Sequence, residues 1–228
     1  PIAMKKILLT YSLFLTVVFA AQAQAQDQQF KKPDYEKIQT TISQSNSDHS
    51  YPTLFKRYTA NDTTLKHQDY RMLYYGYIFQ KDYTPQASSE YRKKLNAIYE
   101  KDQLNREDFM EIIALEKKIL KEKPFSMRDL NTLAYSYEQT GQTEKVKKID
   151  YKLNLIIETI LSSGNGLEEK TAWHVTAITH EYDILNVLGF EIKGDESMRS
   201  EGVDYIKVER NQYGISGFHF NISKVLEN

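Results

Sequence analysis

Apolar residues recur at three- and four-residue intervals through the first part of this chain and alternate with polar ones near its end. The pattern predicts helices followed by strands. Pro33 opens a helix with Tyr35, Ile38 and Ile42 on one face, and Ser43 to Ser50 form a polar loop. Tyr51-Pro52 begins a short helix carrying Leu54, Phe55 and Tyr58. Asp62-Thr63-Thr64 caps the next, whose Tyr70, Leu73, Tyr74, Tyr77 and Ile78 fall in helical register, with Pro85 as its end. Ser88 starts a helix bearing Tyr91, Leu95, Ile98 and Tyr99. Asn105 and Asp108 cap a longer one with Phe109, Ile112, Ile113, Ile119 and Leu120, closed by Pro124.

Ser126 and Asp129 mark the start of a helix with Leu130, Leu133, Ala134 and Tyr137, and Gly141 follows its end. Thr143 caps a long helix with Val146, Ile149, Leu153, Ile156, Ile157 and Ile160. Leu133, Ala134, Tyr137, Gly141 and Val146 give this pair a resemblance to one tetratricopeptide unit, with Val in place of the usual Ala. The resemblance implies a helical-repeat shape and carries no function. Ser162 to Gly166 is a flexible break, after which the period becomes two. Trp173–Thr179, Asp204–Glu209 and Ile215–Ser223 each alternate as strands, with Asn211–Gly214 as a hairpin turn. Between them Glu181–Leu188 reads as a short helix ended by Gly189. The expectation is an α+β protein: six or seven helices packed against a C-terminal antiparallel sheet of three or four strands.

At the other end, Lys5-Lys6 precedes a largely apolar run from Ile7 to Ala21, then Ala21-Gln22-Ala23 and Ala23-Gln24-Ala25. This is the layout of a secretory signal peptide. The run falls short of the ~20 apolar residues that span a bilayer. Met4 is the expected start, with Pro1-Ile2-Ala3 a remnant, and cleavage is expected between Gln22 and Gln28. The expected organisation is therefore a leader at 1–25, a helical region at 26–165 and a sheet region at 166–228, the last two forming one unit. Export to the periplasm or beyond is expected.

Composition narrows the chemistry. Net charge is −1, and removing Lys5 and Lys6 leaves 28 basic against 31 acidic side chains, or −3. A surface so balanced argues against nucleic acid as a partner. There is no cysteine, which excludes disulfides, thiolate catalysis and a lipid anchor on a leader-terminal cysteine. Neither a membrane span after cleavage nor a cofactor is expected. Tyrosine is over-represented, with 17 copies against a single Trp. A buried Tyr brings a large apolar body and a hydroxyl that must find a partner.

Asp62-Thr63-Thr64-Leu65, Tyr74-Tyr75-Gly76-Tyr77, Tyr83-Thr84-Pro85, Glu181-Tyr182 and Phe220-Asn221-Ile222 stand in an informative order. On them the chain resembles a family of secreted Gram-negative proteins, abundant in Bacteroidetes, catalogued as domain of unknown function 4919. The resemblance covers about Tyr35 to Ile222. It implies export and a helix-then-sheet layout, and brings no catalytic residue.

Two constellations remain as candidate sites. Tyr75 and Phe79 form a second aromatic stripe beside the core face, with Gly76 allowing close approach and Tyr83 nearby. These four could line a groove for a peptide or sugar, although wide apolar faces are more often core. On the polar side of the sheet, His174, His180 and His219 are weak metal candidates beside Lys207, Glu209 and Asn221. His174 and His180 lie roughly 20 Å apart on an extended strand, too far to share an ion. The mixed run Glu116 to Lys123 reads as a solvated helix face. No phosphate loop, serine elbow or His-Glu-x-x-His motif is present. The expected function is a non-enzymatic envelope protein binding a peptide or partner protein between helices and sheet, with Tyr75 and Phe79 as first contacts. The alternative is a metal-dependent or carboxylate-based hydrolase whose site the sequence does not reveal.

Overall fold

The computed structural model describes residues 30–85, 89–194 and 198–227. The expected leader and the Ser88 helix start lie outside these residues. Contacts divide the described chain into two units, one of residues 33–159 and one combining 30–32 with 160–227.

The first unit is helical: α1 (Tyr35–Ile42), α2 (Tyr51–Thr59), α3 (His67–Gly76), α4 (Tyr91–Tyr99), α5 (Arg106–Glu122), α6 (Met127–Gln139) and α7 (Thr143–Leu161, whose last turn enters the second unit). Its helix starts show how local chemistry fixes boundaries. Asp34 caps α1 by accepting the Lys37 N–H at 3.0 Å. Asn105 and Asp108 form a reciprocal capping box on α5, at 3.0 and 2.9 Å. Gly141, at φ +76°, follows α6 in the left-handed conformation that ends helices.

Three expected boundaries change. Asp62 does not cap α3: its carboxylate accepts from Thr64 within its own turn and from Arg57 on α2. Asp69 takes that role by accepting the Lys66 N–H at 2.8 Å. The α3 helix ends at Gly76, followed by a 3₁₀ turn over Tyr77–Phe79, rather than continuing to Pro85. Ser126 precedes α6 without a side-chain cap bond, and the Asp129 carboxylate accepts from Arg92 instead of closing a capping box.

Aromatics fill the middle of this unit. Phe125, in the turn between α5 and α6, lies 5.1 Å from Tyr58, 5.8 Å from Tyr74 and 5.4 Å from Tyr77, centroid to centroid. Buried hydroxyls bond backbone carbonyls: Tyr58 to Pro124 at 2.6 Å and Tyr75 to Thr159 at 3.0 Å. That pairing permits so many buried tyrosines. A second cluster, Leu95, Ile98, Ile112, Leu115 and Ile119, joins α4 to α5.

The second unit holds β1 (Trp173–His174), α8 (Thr179–Val187), β2 (Met198–Ser200), β3 (Val203–Lys207), β4 (Gly217–Asn221) and α9 (Ser223–Leu226). The sheet order is β1-β4-β3-β2. The hairpin pairing of β3 with β4 and of β2 with β3 is antiparallel, but β1 pairs with β4 in parallel, so the sheet is mixed. The expected strand at Trp173–Thr179 is only two residues long, because Thr179 already starts α8. Trp173 stacks on Phe218 at 5.0 Å, and Phe190 meets Phe218 at 4.7 Å. The Trp173 indole N–H donates to the Gly164 carbonyl at 2.9 Å. The protein is α+β.

Candidate functional site

The structure puts the aromatic candidates inside the helical unit. Tyr75 is fully buried, edge-on to Tyr35 at 6.0 Å and Tyr74 at 5.1 Å. Gly76 is buried where an added Cβ would fall 2.8 Å from Ile42 Cδ1. Tyr83 is buried against Tyr77 at 5.2 Å. Phe79 alone of the four is half-buried, packing edge-on to Tyr35 at 6.4 Å. The second aromatic stripe expected at Tyr75 and Phe79 is packing at Tyr75, where α1 covers that side of α3.

The histidines separate as well. His174 sits opposite Asn221 on the sheet, and His219 on β4 opposite Tyr205. His180 leaves the strand and is buried in the first turn of α8. Its helical position, not the strand spacing, removes it from the polar face of the sheet. Among the described residues no group of three or more His, Cys, Asp or Glu stands close enough to hold a metal ion.

A different cluster forms where α4, α5 and α6 meet. On α5, Glu116 has Ile112, Ile113, Ile119 and Leu120 as its i−4, i−3, i+3 and i+4 neighbours. Its position on that apolar stripe turns it inward, and it is wholly buried. Among the described residues neither carboxyl oxygen has a hydrogen-bond partner. Burial, then the negative charge of Asp129, push its pKa up to about 8, with Arg92 pulling the other way. Glu116 therefore carries a proton at neutral pH. The solvated face expected at Glu116 is overturned.

Asp129, in the first turn of α6, is buried and accepts from Arg92 Nη2 on α4 at 2.6 Å. Arg92 keeps about a third of its side chain in solvent, while Asp129 keeps almost none. Seven residues on, Tyr99 lies on the same side of α4 and is 45 % exposed. Burial and then the Glu116 charge raise its phenol to about 12. Lys123, just past α5, feels both Asp129 and Arg92. The result is a buried acid beside a half-buried ion pair, with Arg92 and Tyr99 on the solvent side.

A model of the family described as domain of unknown function (DUF4919) matches residues 36–228. The chain belongs to that family. No curated protein and no solved structure matches it. Membership leaves the chemistry to the residues. Among the described residues of this family member, no helix is long and apolar enough to cross a membrane.

Proposed function

We propose that this protein is exported to the bacterial cell envelope and binds a peptide or partner protein without catalysis, through the α4–α6 face of its helical unit. Its N-terminal Lys5-Lys6, apolar run and small-x-small sites support export. The observation that carries the binding reading is Glu116, a buried carboxyl with both oxygens unpartnered. Such a group costs stability unless something completes it, and buried polar groups in folded proteins are otherwise almost always bonded. Arg92 and Tyr99 flank it from solvent, and both residue types are favoured anchors of recognition surfaces. The α6–α7 pair resembles a tetratricopeptide unit, and helical repeats commonly bind extended segments.

The test is in vivo photo-crosslinking in the native envelope, with the photoreactive residue placed at Tyr99 or at Met110, both exposed. A discrete adduct at Tyr99, in a fraction outside the cytoplasm, supports the reading. Cytoplasmic retention with the leader intact overturns export, and no adduct at either position overturns binding. A second reading, a carboxylate-based hydrolase, draws on the same acid: Glu116 holds a proton to about pH 8 beside the ion-paired Asp129, the arrangement of a general acid near a second carboxylate. Turnover of generic peptide, ester or glycoside substrates that Glu116→Gln abolishes would favour it.

A further inference from the structure

We propose that the Glu116 cluster takes a positively charged group, the ammonium or guanidinium of a lysine or arginine side chain in the bound peptide. The proposal rests on the binding reading above and names its ligand chemistry. Both Glu116 oxygens lie buried without a donor. Once a cation draws off its proton, the carboxylate only accepts hydrogen bonds, and an ammonium or guanidinium supplies only donors. Of the charges acting on Glu116, Asp129 outranks Arg92. Asp129 thus acts on Glu116 more strongly than its partner Arg92 does, which favours a cation over an anion beside it. The cluster also already accepts one guanidinium, since Arg92 reaches Asp129 from the solvent side. The Tyr99 ring, 45 % exposed, offers a face over which a second cation can rest.

A proton balance follows. The empty cluster holds Glu116 as the neutral acid at pH 7. Entry of a cation favours the carboxylate, so binding releases close to one proton to buffer. Arg92 and Tyr99 on α4, Asp129 on α6 and Lys123 beyond α5 are the titratable groups that share this field.

The experiment is titration calorimetry on the whole chain at pH 7, in phosphate and in Tris, whose ionisation enthalpies differ. The probes are Gly-Lys-Gly and Gly-Arg-Gly, with Gly-Gln-Gly and Gly-Glu-Gly as comparisons. Saturable binding of the cationic peptides, with a buffer difference matching close to one released proton, is expected. Glu116→Gln should weaken that binding at least tenfold and abolish the buffer difference, with melting confirming that the variant is folded. Carboxyl ¹³C NMR of Glu116 in the unmutated protein is a second readout, and its titration should fall below pH 7 on saturation with Gly-Arg-Gly. No binding of either cationic peptide, equal binding of Gly-Glu-Gly, or an unchanged Glu116 titration overturns the proposal. A partner crosslinked at Tyr99 that tolerates Glu116→Gln and excess Gly-Arg-Gly would leave the binding reading standing and remove this one.

Discussion

Tyr75 and Glu116 share a feature at the residue scale: each brings a polar group into an apolar interior, and only one of them finds a partner. The Tyr75 hydroxyl donates to the Thr159 carbonyl at 3.0 Å. Tyr75→Phe should cost about 0.5–1.5 kcal/mol, the net worth of one hydrogen bond, and Tyr75→Ala about 3–5 kcal/mol, because the ring leaves a cavity. Urea unfolding of both variants checks this ordering; equal and negligible losses would show that the ring is not core. Glu116 has no such acceptor or donor. Its native pKa is raised above the ordinary carboxylate value to about 8, so the native state binds the proton more tightly than the unfolded chain does. Stability therefore falls as pH rises from the ordinary value through about 8 and is level above it. Glu116→Gln should remove that decline, gaining on the order of a few kcal/mol at pH 9 and little at pH 4. Denaturant unfolding at pH 4, 7 and 9 decides it.

Helix ends carry the argument at the scale of elements. Asn105 and Asp108 satisfy each other's backbone N–H groups at the start of α5, and Lys101 pairs with Asp108. Asn105→Ala should lower stability by about 1 kcal/mol, typical of a lost cap, and should speed amide hydrogen exchange in the first turn of α5 before that in its middle. Uniform loss of protection along the helix would contradict this. In the sheet unit, Gly164 has no room for a side chain: an added Cβ would lie 2.1 Å from the Thr171 carbonyl oxygen. Gly164→Ala must displace the segment that receives the Trp173 indole N–H. A reduced melting temperature with altered Trp fluorescence is expected, Trp173 being the single tryptophan.

At the scale of the molecule, two buried ionisable groups in the helical unit oppose each other along the pH axis. Lys152 on α7 is 7 % exposed, with Nζ 4.1 Å from the centre of the Tyr58 ring. Burial lowers its pKa to about 8. The native state thus binds this proton less tightly than the unfolded chain, and stability rises as pH climbs from about 8 toward the ordinary lysine value. Glu116 makes stability fall up to about pH 8 and Lys152 makes it rise beyond, so their joint contribution is smallest near pH 8. Lys152→Met, which keeps the packing on Tyr58 and drops the charge, should stabilise the protein at pH 7 and abolish the rise above pH 8. A melting temperature that Lys152→Met lowers at pH 7 would refute that account.

What the sequence by itself determined is what depends on near neighbours in the chain. The apolar faces of α5, α6 and α7, the Asn105–Asp108 box and the turn at Gly141 are set by residues within one or two turns, and family membership follows from motifs in order. The alternation around Ile206 and Phe220 likewise marked β3 and β4. Tertiary structure decided what lies opposite each face. Tyr75 became core because α1 covers it, and β1 stopped at His174 because α8 begins at Thr179 and β1 joins β4 in parallel. Phe125 sits in a turn with no periodicity to announce it. Glu116 did carry a local sign, four apolar neighbours one turn away, but its charged surroundings in sequence masked it. Only the packing of α4 and α6 against α5 shut it off from water, since burial of a polar group is a property of the elements packed around it and not of its own helix.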